Sequence, residues 1–328
     1  MRKTKSKHFQ GWDKVKIVDD HGIEKEAIAP VIISATRRSD IPAWHIDWFM
    51  ERLRRGYLLS NHMQRQYVSF KKTRVIVFWT KNPEPMFMHL KELDEMGIRY
   101  YFHYTLTDYD QEGLEPNLPP HKDRIFAFQQ LSNKIGSENV IWRFDPLVVT
   151  DTIDRDRLIL KVAMLMECLT GYTEKLVISF LDPTAHKKVK PNMSKAGITV
   201  KEFSDEDKAY VARHIAELAN AYDIQVSSCA EGIDLSLYGI RQNKCIDDAL
   251  MRRLFSQDDE LFSFLDKIDG QKHQGQRKLC RCIPSFDVGK NNTCRNGCVY
   301  CYANVSQKAV EDNFDRLSVD REALLLSS

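Results

Sequence analysis

Residues 74–83 read RVIVFWTKNP. Arg74 to Trp79 is a short run rich in β-branched and aromatic side chains, the pattern of a buried strand, and Thr80 and Lys81 end it. Asn82 is then placed to cap a helix. Pro83 suits that helix's first turn, where its missing N–H would have no partner anyway, and Gly97 closes it. The stretch is therefore one strand feeding one helix, and the same unit recurs on both sides. Before it, Val31 to Ala35 is an apolar run, and Pro42 opens a helical pattern that ends at Gly56. After it come strands at Arg99 to Thr105, Val140 to Phe144, Lys175 to Phe180 and Ile224 to Ser228. Helices separate them: one after the Pro-rich loop through Pro120, one capped by Asp154, and one opened by Asp205 and running to Tyr222.

Strands alternating with helices predict parallel pairing through right-handed crossovers. Six such units predict an α/β fold, a partial parallel βα barrel. A doubly wound open sheet uses the same alternation, but no G-x-G-x-x-G follows the first strand as a dinucleotide site would require. The expected organisation is an N-terminal extension over 1–30, containing a hairpin that turns at Asp20-His21-Gly22, and the barrel over 31–244. A helix and cysteine-rich segment over 245–305 closes the same domain, and 306–328 is a tail. Residues 245–267 read as one helix.

The 328 residues are 43% hydrophobic, enough for a sizeable core. Lys and Arg number 48 against 46 Asp and Glu, a net charge of +2 that does not point to general nucleic-acid binding. No apolar run approaches 18 residues and the basic N-terminus lacks the apolar segment of a signal peptide, so a cytoplasmic protein with no membrane partner is expected. Eight cysteines in such a chain argue for thiols and metal ligands rather than disulfides.

Seven of the eight fall after residue 228, and three lie in NNTCRNGCVYCYAN, residues 291–304. Cys294, Cys298 and Cys301 are spaced Cys-x3-Cys-x2-Cys, close enough for one loop to bring three thiolates to one iron-sulfur cube. A cube normally takes four, so three leave an iron open. The spacing, with Tyr300 just before the third cysteine, resembles the Cys-x3-Cys-x-aromatic-Cys motif of radical S-adenosylmethionine enzymes. That resemblance implies a 4Fe-4S cluster, S-adenosylmethionine on the open iron, Tyr300 beside the adenine, and an electron donor such as flavodoxin or ferredoxin. In that superfamily the motif usually follows the first strand, whereas here it falls near the end. The segments SATRRSDIP, WTKNP and WRFDP, followed by the cysteines, also resemble an uncharacterised bacterial family catalogued as domain of unknown function 1848. WTKN and RFDP are similar to short segments of the spore-photoproduct-lyase branch. The superfamily's usual GGE is absent and Thr80-Lys81-Asn82 stands in its place, which makes Lys81, then Arg143, the candidate for the methionine carboxylate.

In parallel barrels the strand C-termini and the loops after them build the active site. Those positions carry Arg37, Arg38 and Asp40; Thr80, Lys81 and Asn82; His103, Thr105 and Thr107; Arg143 and Asp145; Asp182; and Cys229 with Glu231. Each alone reads as a cap or loop ion pair. Together they suit an anionic or zwitterionic ligand, and Arg37, Arg38, Lys81, Asn82, Arg143, Asp145 and Tyr300 are the candidate cofactor-binding residues. Cys229, Cys245, Cys280 and Cys282 are enough for a second site, an auxiliary 4Fe-4S cluster or a zinc; alternatively Cys229 and Cys245 are buried apolar residues. Cys168, among Met164, Leu165 and Leu169, reads as core. The lysine-rich run 186–195 reads as a solvated loop. The expected function is a radical enzyme acting on an unidentified substrate. Its rival is a non-catalytic zinc or structural iron-sulfur protein, with nucleic acid as its candidate partner.

Overall fold

The protein was analysed as a computed structural model that describes residues 9–60, 65–184 and 188–325. The chain begins with a hairpin, β1 (Asp13–Val18) and β2 (Glu24–Ala29), turning at the expected Asp20-His21-Gly22. Next come β3 (Ile32–Ala35), α1 (Ile41–Trp44), α2 (Ile46–Arg55), β4 (Tyr57–Ser60), β5 (Gln66–Ser69) and β6 (Val75–Thr80). After β6 run α3 (Leu90–Glu95), β7 (Arg99–Thr105), α4 (His121–Ile135), β8 (Val140–Leu147), α5 (Arg155–Leu169) and β9 (Lys175–Phe180). The last third holds α6 (Val189–Lys195), α7 (Asp205–Ala221), β10 (Gln225–Ser228), β11 (Arg241–Gln242), α8 (Asp248–Leu254), α9 (Asp259–Lys267), β12 (Phe286–Asp287) and α10 (Gln307–Phe314).

All six anticipated strands form and pair in parallel, in chain order: β3, β6, β7, β8, β9, β10. Two short strands were not anticipated. β11 extends the β10 edge, and β12 returns from the cysteine-rich segment to pair with β3 at the opposite edge, giving eight strands. Two residues are too few to carry a period, so neither is visible as a pattern. A second sheet, β1-β2-β5-β4, was likewise unforeseen beyond its first hairpin.

The side chains of the parallel strands alternate between two layers, as a strand's period of two dictates. On one face Ile33, Ile76, Phe78, Phe102, Trp142 and Ile178 pack with Phe49, Leu93, Phe128, Leu165 and Ile215 of the crossover helices. On the other, Ile32, Val75, Val77, Tyr101, Ile141 and Val177 pack with Met251, Leu261, Leu265 and Ile283 of the C-terminal segment. The crossover helices thus share one face, and the C-terminal third of the chain covers the other.

Several local expectations need correction. Residues 245–267 form two helices, because Asp258 turns its carboxylate onto the Leu261 N–H and starts a new one. Asp205 does open α7, with Ser204 capping it. The lysine-rich run is helical over Val189–Lys195, and its first two residues, 186 and 187, lie outside the described residues. Cys168 is exposed, not core. The buried stripe of α5 runs through Leu158, Val162, Leu165 and Leu169, which leaves Leu160, Met164 and Cys168 as an outward row at four-residue spacing. The tail adds α10, and beyond it the Glu322 carbonyl accepts from the Leu59 N–H, tying the tail to β4.

Candidate functional site: two cysteine groups at the strand C-termini

The Cys294–Cys301 loop is tied to the C-terminal ends of β3 and β6 by side chains from both. Asp40 first caps α1 through the Ala43 N–H (3.1 Å). Its other oxygen accepts from the Lys81 N–H (2.8 Å) and from the Asn296 amide (3.0 Å). Trp44 Nε1 donates to Asn296 (2.7 Å), Ser39 Oγ donates to the Thr293 carbonyl (2.9 Å), and His45 Nε2 lies 2.5 Å from that carbonyl. One buried aspartate therefore joins two strand ends to a loop some 256 positions away. Gly297 makes the turn between the first two cysteines. Its φ is +69°, and an added Cβ would come within 2.7 Å of the Asn117 amide, so the position demands glycine twice over.

Lys81 does not stand free. Its ammonium lies 2.6 Å from Glu115 and 3.1 Å from the Tyr300 hydroxyl. Tyr300 also donates to Glu115, which accepts from Thr107 Oγ1 (2.8 Å) and has Arg124 at 3.6 Å. Burial alone would raise the Glu115 carboxyl, but the Lys81 charge and the hydrogen bonds hold it below the usual range. Tyr300 is thus part of a buried ionic network beside Cys298. Burial lifts the Cys298 thiol to about 12 against the pull of Lys81, and burial also lifts the Cys294 thiol well above the usual range, with Asp40 adding to the effect. Asn82 Oδ1 accepts from the Glu84 N–H (3.2 Å) in an Asx turn, but Pro83 holds the cap position of the 3-10 turn Glu84–His89, so Asn82 is not the helix cap that the sequence suggested.

The other four cysteines come together from separate parts of the chain. Cys229 follows β10, Cys245 precedes α8, and Cys280 and Cys282 lie between α9 and β12. The Cys229 and Cys245 sulfurs are 3.8 Å apart. Cys282 is in hydrogen-bond contact with both Cys245 and Cys280. Guanidiniums surround the group: Arg143 donates to Cys245 (3.2 Å), Arg37 to Cys282 (3.5 Å) and Arg277 to Cys229 (3.8 Å). The backbone N–H groups of Cys245 and Ile246 also point at Cys282 (3.3 and 3.5 Å). Hydrogen bonds from Cys229 and Cys282, helped by Arg143, hold the Cys245 thiol well below the usual range. The bond from Cys282 lowers Cys280 to about 6. Among the described residues, no group of three or more His, Cys, Asp or Glu side chains is placed so that it could hold a metal ion as it stands.

Between the two groups lie the remaining candidates. Arg37 stacks on Trp79 (4.7 Å to the ring centre) and keeps one buried guanidinium nitrogen, Nη1, without a hydrogen-bond partner. Arg38 is 3.6 Å from Asp287, which also accepts from Ser34, Thr36 and the Gly289 N–H. Arg143 is paired to Asp145, which also accepts from Ser179. Tyr302 sends its hydroxyl to the Arg37 carbonyl (2.8 Å), bridging the loop to β3. His103 is buried against Trp79 and the Cys245 carbonyl. Glu231 accepts from the Phe180 N–H, so its role is structural. Sequence reading missed Glu115, Arg277 and Asp287. Only Asp287 left a trace, as an acid in an apolar FDV run of the cysteine-rich segment.

The fold and site define an α/β protein with an eight-stranded parallel sheet and seven cysteines gathered at the strand C-termini. The chain belongs to the family described as "Domain of unknown function (DUF1848)", whose model matches residues 32–303. No curated protein matches it. Among solved structures, one titled "Structure of D-hydantoinase" is similar over 71% of this chain, with 11% identity and a TM-score of 0.30. This chain spans 50% of that structure's length. No helix among the described residues is long and apolar enough to cross a membrane.

Proposed function

We propose that this chain is a cytoplasmic iron-sulfur enzyme in which Cys294, Cys298 and Cys301 hold a 4Fe-4S cluster that binds S-adenosylmethionine for radical chemistry on a further substrate. The observation that carries the reading is the meeting of a three-cysteine loop with the C-terminal ends of parallel strands, where such folds conduct chemistry, although the loop is encoded far from them. We read the sheet as a partial barrel. Its six main strands follow chain order with no reversal, and its crossover helices keep to one face, as in a wall curving around an interior.

The donor set fits the cluster. Three thiols lie on one short loop, Gly297 permits its tight turn, and Cys301 Sγ already accepts the Ala303 N–H (3.4 Å), the kind of bond that tunes cluster thiolates. Once bound, the cluster would supply the electron for reductive cleavage of S-adenosylmethionine to a 5'-deoxyadenosyl radical, with a flavodoxin or ferredoxin as donor. The chain's own work is binding and exclusion of water. Lys81, consumed by Glu115, steadies the loop beneath Cys298. Arg37, with a spare buried guanidinium nitrogen and a backbone carbonyl that takes the hydroxyl of the loop's Tyr302, is the better partner for a methionine carboxylate.

The test is anaerobic purification with an iron count, followed by dithionite reduction with S-adenosylmethionine. Slow release of 5'-deoxyadenosine is expected, abolished in Cys298→Ala and strongly weakened in binding for Arg37→Ala. A fully loaded cluster that neither binds nor cleaves S-adenosylmethionine would sink the proposal.

A further inference from the structure

Four of the cysteines lie outside the loop, and their surroundings are unlike those of ordinary buried thiols. An apolar cysteine core would pack sulfur against hydrocarbon. Here Arg37, Arg143 and Arg277 each direct a guanidinium nitrogen at a different sulfur, and two backbone N–H groups converge on Cys282. The Asn243 amide adds a further donor to Cys245 (3.3 Å). That many donors, three of them permanently charged, suit a group carrying net negative charge. Arg37 and Arg38 share Asp287, so neutral thiols would leave excess positive charge in a largely buried place.

The spacing distinguishes a single ion from a cube. In a cube each cysteine binds a separate iron, so the thiolates stand apart on different corners. Around one tetrahedral zinc, bonds of about 2.3 Å set neighbouring sulfurs about 3.8 Å apart. The Cys229–Cys245 pair is at 3.8 Å. Cys282 follows in contact with Cys245, and Cys280 in contact with Cys282. The sulfurs form a chain of neighbours that an ion would draw into a ring.

We propose that Cys229, Cys245, Cys280 and Cys282 bind a single zinc ion as four thiolates, with Arg37, Arg143 and Arg277 balancing the charge of the complex. The site clamps β10 and the start of α8 to the cysteine-rich segment, and so holds the C-terminal third of the chain against the sheet. None of its four thiols belongs to the Cys294 loop, and of its arginines only Arg37 is shared with the S-adenosylmethionine reading.

The test is metal analysis of anaerobically purified full-length protein. About one zinc per chain is expected, retained when Cys294, Cys298 and Cys301 are all changed to Ser, and lost in Cys229→Ser/Cys282→Ser. If the second variant fails to fold, protein produced in zinc-poor, cobalt-containing medium decides the matter, because cobalt in a four-thiolate tetrahedron shows intense visible bands that the native chain alone can report. Two outcomes would overturn the proposal. One is about four irons and no zinc in the triple variant, which would make the site a cube. The other is no metal there at all, with mass analysis finding Cys229 joined to Cys245 as a disulfide. The enzyme proposal fails separately, since the triple variant is already inactive under it.

Discussion

The two cysteine groups reach the same end of the sheet by opposite routes. Cys294, Cys298 and Cys301 lie on one loop, and what the fold supplies is a seat: Asp40, Asn296 and the Lys81–Glu115 pair. Cys229, Cys245, Cys280 and Cys282 come from three stretches of chain, and the fold supplies the meeting itself, with arginines rather than carboxylates around it. A local group can survive damage to its neighbours' packing but not to its seat. A non-local group depends on every element that carries a member.

Glu115→Ala should separate the two most sharply. It leaves Lys81 buried without its counter-ion and should cost about 3 to 5 kcal/mol in denaturant unfolding. Iron in the loop should fall, whereas the four-thiol site should keep its metal; equal loss from both would show that the groups are one unit.

Acid should strike the loop's seat next. Burial holds the His45 imidazole at about 4, from an ordinary 6.5, against the Thr293 carbonyl. The folded value is the lower, so above 6.5 neither state is protonated and nothing changes. Below 6.5 the unfolded chain takes up a proton that the folded one refuses. Stability should therefore drop by about 1.4 kcal/mol per pH unit between 6.5 and about 4 on account of this group. The slope should flatten in His45→Gln; an unchanged slope would remove His45 from the account.

Gly297→Ala should destabilise by about 1 to 3 kcal/mol, from the left-handed backbone and the approach to Asn117. Its effect should fall on loop metal alone. Cys168→Ser should shift stability by less than about 0.5 kcal/mol and leave both metal counts intact, because the side chain is exposed. A larger change would mean that the outward row of α5 is covered by something.

Much of this was legible beforehand, for reasons of scale. Each of the six main strands is an apolar run bounded by polar or turn residues, and each pairs where its run predicted within a residue or a few. The Cys-x3-Cys-x2-Cys loop is equally local. Cys168 was misread because a helix decides inside from outside by angle, and three apolar neighbours in sequence do not share an angle.

What the sequence determined by itself is whatever lies within one element or one loop: the strands, the helix cap at Asp154, the cysteine spacing and the polar character of the strand ends. What only the tertiary structure decided is which distant groups share a place. Glu115 takes Lys81, Asp287 stands between Arg38 and Thr36, and Cys229 meets Cys245, each through contacts that no spacing encodes. The reason is physical. A buried charge must find its partner somewhere in the interior, and the choice among candidates depends on how the layers close, which is a property of the whole chain.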